Sequence, residues 1–238
     1  MKSQASYNRY AEIFTGLPEG FNEKAMELFR IQYRENILYR EFADLFRASP
    51  ARVHSVLQIP FLPVSFFKST KLITGDFQPE IIFESSGTTG QARARHYVRD
   101  AALYRESFVK GFEYFFGDPQ NYCVLGLLPA YLEREGSSLI YMVDELIRRS
   151  GHPHNGFYLY DFGKLHRVLE ELEKHDQRTV LIGVSFALLD FAEQFSMHLL
   201  NTVVMETGGM KGRRQELTKP ELHAILKKKL GLSLVYSE

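Results

Sequence analysis

The sequence predicts an α/β protein, a mostly parallel sheet with helices on both faces, preceded by a helical N-terminal segment. Three observations lead there. Short apolar, β-branched runs alternate with amphipathic stretches through the last two thirds of the chain. These runs are apolar on both sides of the pleat, as strands of a sheet covered on both faces must be. Glycine-bearing turns follow two of them, at residues 85–90 and 207–212, and ligands of such sheets gather at the carboxyl ends of the strands. The division expected is a helical segment over residues 1–75 packed on an α/β domain over 76–238.

The totals fit this class. The 238 residues suffice for one large domain or two small ones, and 45% hydrophobic with 24% charged residues is ordinary for a globular chain. The formal charge is zero, which removes any global pull toward nucleic acid or an anionic membrane. The single cysteine, Cys123, excludes an internal disulfide framework and, in its apolar run, reads as a buried inert thiol. No apolar run approaches the length of a membrane span and the first residues carry no signal region, so a cytoplasmic protein is expected.

The elements follow in order. Tyr7, Tyr10, Ile13 and Phe14 recur at helical spacing until Leu17-Pro18-Glu19-Gly20 breaks the pattern. Asn22 is placed to cap a long helix with Met26, Phe29, Tyr33, Ile37 and Phe42 on one face. Pro60 and Pro63 forbid regular helix and impose an extended connector, and residues 65–69, which could face a ligand, read first as part of it. A strand is expected over 81–83. Asp100 then caps a helix with Ala101, Tyr104, Phe108, Phe112 and Phe115 inward, closed by Gly117. Beyond it come a strand over 122–128, a helix capped by Ser137 or Ser138, and a strand over 157–160. A helix marked by Leu165, Val168, Leu169 and Leu172 follows, then strands over 179–184 and 202–205 around a helix over 187–200. Thr218-Lys219-Pro220-Glu221 is a capping box with proline in the first turn, its helix runs to Gly231, and a last strand is expected over 232–236.

The stretch with the most chemistry is Phe83-Glu84-Ser85-Ser86-Gly87-Thr88-Thr89-Gly90. Its glycines allow the backbone N–H groups close approach to an anion and its hydroxyls add donors. From these residues alone it is either a phosphate loop or a polar turn between two strands. Near the other end, Lys211, Arg213 and Arg214 flank a glycine pair just past a strand, a reasonable anion site, while Lys227-Lys228-Lys229 reads as a solvated helix face.

Taken together the motifs resemble the adenylate-forming (acyl-CoA synthetase-like) superfamily. Residues 83–90 look like its phosphate loop. The segments Pro129-Ala130-Tyr131-Leu132-Glu133-Arg134 with Gly136-Ser137-Ser138-Leu139, and Glu206-Thr207-Gly208-Gly209-Met210-Lys211-Gly212, are similar to the LuxE-type acyl-protein synthetases and, more distantly, the phenylacetate–CoA ligases. The resemblance implies activation of a carboxylic acid, fatty or aromatic, by ATP and Mg²⁺ as an acyl-adenylate, followed by transfer to a protein thiol or coenzyme A. It implies nucleotide contacts from Ser85, Ser86, Gly87, Thr88, Thr89, Gly90, Arg93, Gly208, Gly209, Met210 and Lys211, and an acyl pocket near Tyr131. It names no catalytic residue and no metal ligand among these. Where the family's loop commonly ends in lysine, this chain offers Arg93 and Arg95. In the family an aromatic-Gly-x-Thr-Glu motif and a small C-terminal domain would follow Val235-Tyr236-Ser237-Glu238, so a truncated, weakly active or inactive enzyme is expected. The alternative is a non-catalytic binding or assembly protein on the same fold; a homodimer is the base expectation for association.

Overall fold

The structure, a computed structural model, describes residues 20–85, 93–128, 136–208, 210 and 216–237. The chain divides into two compact units, Met1–Lys110 and Gly111–Glu238. The boundary falls inside a helix rather than at 75/76, because residues 81–98 form a small sheet of their own that groups with the N-terminal helices.

In the first unit, the long helix expected after Asn22 is two helices, α1 (Phe21–Glu35) and α2 (Ile37–Leu45). Asn36 separates them. It leaves helical geometry at φ −113°, ψ 101°, and its side chain accepts from the Tyr39 N–H at 3.1 Å, capping α2. The residue ahead of α1 is Gly20, in a left-handed conformation and without a side-chain cap, so Asn22 lies inside the helix. Met26, Phe29, Tyr39, Ala43, Ala48 and Val53 make a small core, against which Tyr33, Ile59 and Leu62 pack. After the short helix α3 (Phe66–Ser69) come β1 (Ile81–Glu84) and β2 (Arg95–Val98). They pair antiparallel, Ile81 opposite Val98 and Glu84 opposite Arg95. The first glycine-bearing loop therefore joins the strands of a hairpin and does not leave a strand of the parallel sheet. Helix α4 (Ala101–Phe116) begins where predicted, with Asp100 accepting from the Ala102 N–H at 2.8 Å.

The second unit is the α/β sandwich that the sequence predicts. Five strands, β3 (Cys123–Leu127), β4 (Gly156–Phe157), β5 (Thr179–Val184), β6 (Thr202–Thr207) and β7 (Val235–Ser237), lie in the order β4-β3-β5-β6-β7, every pair parallel. The crossover helices are α5 (Ser138–Ser150), α6 (Phe162–Lys174), α7 (Ser185–Gln194) and α8 (Lys219–Leu230). All of β3 and β5 is buried, as strands covered on both faces should be. Leu125, Leu127, Leu181, Ile182, Phe186, Phe191 and Leu226 are sealed within one continuous core. Cys123 belongs to it; burial pushes its thiol up to about 12, so it is chemically quiet at neutral pH.

Further elements differ from expectation, β7 among them, which starts at Val235 and not at 232. Helix α7 starts at Ser185 and ends at Gln194, short of 200, and β4 holds two residues because Leu159 turns to φ 47°. Phe115 of α4 is exposed, while Val109 and Phe112 are buried. Among the described residues no helix is long and apolar enough to cross a membrane.

Candidate functional site

The candidate residues fall in both units. In the first unit the hairpin ladder continues one step past β1: Ser85 N–H donates to the Ala94 carbonyl at 2.9 Å, and Ala94 N–H donates to Ser85 Oγ at 3.0 Å. Ser85 thus pins the base of the loop, its oxygen already accepting a backbone donor. Arg93 follows on the returning arm. Its Nη1 reaches Glu84 Oε2 at 3.3 Å, and Arg95 Nε reaches Glu84 Oε1 at 2.9 Å. Hydrogen bonds from Arg95 and then Arg93 hold the Glu84 carboxyl below its ordinary value. The trio keeps one net positive charge.

That charge does not stand alone. Lys68, Thr70 and Lys71, in and just after α3, face Glu84, Arg93 and Arg95 across a hollow of about 480 Å³. Four cations against one carboxylate make this an anion site by composition, and hydroxyls of Ser69 and Thr70 lie on its wall. Sequence reasoning weighs a ligand-facing role for residues 65–69, prefers a connector, and passes over Lys71. The available signal is Lys68-Ser69-Thr70-Lys71, two cations bracketing two hydroxyls ahead of the glycine loop. Ser86, Gly87, Thr88, Thr89 and Gly90 lie outside the described residues.

In the second unit the parallel strands bring their carboxyl ends to one edge of the sheet, and the chain order reverses between β3 and β5, the position at which such sheets bind ligands. Glu206, near the end of β6, is 1% exposed. Ser185, the first residue after β5, donates to Glu206 Oε2 at 2.9 Å, and Ser237 of β7 donates to Oε1 at 2.5 Å. His223 Nε2 and Lys219 Nζ, both on α8, lie 3.6 Å from Oε1. Burial opposes ionisation of Glu206, but the two hydroxyls, the Lys219 charge and His223 outweigh it and hold the pKa below the ordinary carboxylate value. One carboxylate therefore ties together the ends of β5, β6 and β7.

Gly208 comes next, at φ 78°, a conformation that a side chain strongly disfavours, and its carbonyl lies 3.3 Å from Ser185 Oγ. Met210 is 2% exposed and its side chain is part of the hydrophobic core, so its thioether presents almost no surface to a ligand as the chain stands. Tyr131, Gly209 and Lys211, with Arg213 and Arg214, lie outside the described residues. Ser185, Ser237 and His223 carry no sequence signal of their own, since nothing local marks hydroxyls that meet a carboxylate from other strands.

Among the described residues no group of three or more His, Cys, Asp or Glu side chains comes together to hold a metal ion. Glu84 is engaged by two arginines and Glu206 by two hydroxyls and Lys219, so neither offers a divalent ion a vacant carboxylate. Lysines, arginines and hydroxyls converge on the hollow of the first unit, a donor set with the chemistry of an anion site. No protein-family model, no curated protein and no solved structure matches the chain.

Proposed function

We propose that this chain is an acyl-adenylate-forming ligase of the LuxE acyl-protein synthetase type. A carboxylate oxygen of the acid attacks the α-phosphorus of ATP, the bond to the β-phosphate oxygen breaks, and pyrophosphate leaves. The acyl group of the adenylate then passes to a thiol of a protein or of coenzyme A, releasing AMP. The observation that carries the proposal is the cationic hollow at the base of the Ser85-to-Gly90 loop. Charge builds on the transferring and leaving oxygens in such a displacement, so what a protein must supply is position and fixed positive charge. Lys68, Lys71, Arg93 and Arg95 are the residues of this chain suited to that task, and Glu84 fixes the two arginines by accepting from each. The order of the motifs around Tyr131 and Gly208 in the sequence, and a parallel sheet in which Gly208 directly follows β6, add support. Mg²⁺ is expected with the nucleotide, but no described residue is assigned to hold it.

The test has two measurements on the purified protein. Calorimetric titration should show ATP binding that weakens as salt is raised. Lys68→Ala and Arg93→Ala should each weaken it about tenfold, about 1.4 kcal/mol, without altering the thermal transition, because both side chains are on the surface. Incorporation of labelled pyrophosphate into ATP should appear only when a fatty or aromatic acid is present. A folded protein that binds no ATP overturns the proposal. Binding without exchange for any acid selects the other reading, a non-catalytic binding protein built on this fold.

A further inference from the structure

The first unit contains a second cavity, of about 590 Å³, within the size range of small-molecule sites. Its walls come from the α1–α2 junction, the segment from Leu72 to Phe77, strand β2 and the first half of α4. Leu62, Leu72, Phe77, Val98, Leu103 and Tyr104 make most of it apolar. Phe67 and Tyr97 line both this cavity and the cationic hollow, yet the two differ in character: one is a cluster of charges, the other is mostly apolar, with one cation and one carboxylate, Asp100, on its wall.

That cation is Arg99. Its guanidinium lies 4.5 Å over the Phe77 ring and donates to the Thr74 carbonyl at 3.1 Å. Both partners are neutral, and among the described residues no carboxylate lies within ion-pairing distance of it. The adjacent Asp100 is occupied as the cap of α4, accepting from the Ala102 N–H. Nearby, Gln32 Oε1 accepts from Thr74 Oγ1 at 2.8 Å and from Asn36 Nδ2 at 3.3 Å, which turns the donor end of the Gln32 amide to other use. His96 and Ser107 also line the cavity. The His96 ring stands edge-on to Phe67 at 6.1 Å, and it stays accessible because it borders the cavity, while the protein around it favours the neutral imidazole. With the Asp100 carboxylate committed to the α4 cap, a mostly apolar chamber with one positioned guanidinium, an amide donor and a neutral imidazole is complementary to a molecule with a greasy body and one anionic head.

We propose that this cavity binds a small monocarboxylate, its tail or ring against Leu72, Phe77 and Leu103 and its carboxylate on Arg99. Arginine meets a carboxylate through two parallel N–H bonds, and a surrounding of low polarity strengthens them. Occupancy requires no nucleotide, so the inference does not rest on the adenylating activity and can fail or succeed without it.

The chain has no tryptophan, so Phe77→Trp places a single fluorescent reporter on the cavity wall while preserving an aromatic face for Arg99. The reporter protein, without ATP, is titrated with octanoate, octan-1-ol and octylamine. Octanoate should bind, octanol about tenfold more weakly, and octylamine not at all. Adding Arg99→Gln should reduce octanoate binding about tenfold and leave octanol unchanged, a pattern that simple loosening of the fold would not give. Excess inorganic phosphate should leave octanoate affinity unchanged. Equal binding of all three probes, no binding of octanoate by the folded protein, indifference to Arg99→Gln, or displacement of octanoate by phosphate would each overturn the assignment, the last by placing the acid in the cationic hollow.

Discussion

Glu206 shows how one side chain can hold a strand edge together. Its oxygens receive Ser185 from just after β5 and Ser237 from β7, while on α8 the Lys219 ammonium supplies positive charge and the His223 ring nitrogen stands by, each 3.6 Å away. Replacement by Gln keeps the volume but removes the charge, and one of its two ends can no longer accept. Glu206→Gln should cost about 1–3 kcal/mol at pH 7, the range for hydrogen bonds to charged groups and for buried partners left unmet, read from the denaturant midpoint. The pH dependence has a definite sign. A carboxyl whose folded pKa is depressed contributes stability that is full above its unfolded value and is lost as pH falls through the lowered folded one. The gap between wild type and variant should therefore close on acidification, and a gap that widened would refute the account. None of this was legible in sequence, because Ser185 and Ser237 lie 21 and 31 residues from Glu206 and only the fold brings them together. Met210 illustrates the converse. The resemblance implies a segment lying against a ligand, and the Met210 side chain itself packs in the core; a lone methionine after two glycines carries no local sign of that packing.

Local chemistry made the element ends legible, and α8 shows it at both termini. Thr218 and Glu221 form the capping box read from sequence: Thr218 N–H donates to Glu221 Oε2 at 2.8 Å and the Thr218 hydroxyl takes the Glu221 N–H. At the other end Gly231 sits at φ 65°, where an added Cβ would stand 2.8 Å from the His198 Cα. Thr218→Ala should cost about 1 kcal/mol, the usual loss of an N-cap. Gly231→Ala should cost more, since it combines a left-handed backbone with contact against main chain that cannot rotate away. Paired denaturant titrations check the order; equal costs would mean that the loop around His198 yields freely. Asn36 and β2 escaped the same kind of reading for physical reasons. Asparagine inside an amphipathic stretch looks like a polar-face residue until its side chain is seen capping Tyr39. Arg95-His96-Tyr97-Val98 is too short and polar to announce a strand; it becomes one through its ladder to residues 81–84, closed by Ser85 and Ala94.

At the scale of the molecule, alternation of apolar runs and amphipathic helices was enough to predict the parallel sheet, because strands buried on both faces leave an unbroken apolar signature. The same logic hid the separate status of β1, whose three apolar residues look alike whether they join five strands or one. Strand order then sets a hierarchy of stability. β5 is central, hydrogen-bonded to β3 and β6 along its whole length and buried at every residue. β4 and β7 are short edges, and β1 and β2 form a two-stranded ladder in a unit with a much smaller core. Amides open with the free energy of the cooperative unit to which they belong. Hydrogen exchange followed by mass spectrometry should therefore find peptides from β5 slowest, those from β3 and β6 next, and those from β1 and β2 faster by at least about a hundredfold, which corresponds to about 2.7 kcal/mol less protection at RT ≈ 0.59 kcal/mol. Exchange in the hairpin as slow as in β5 would mean that the first unit opens only with the second, and the chain would then have to be treated as a single cooperative body despite its two cores.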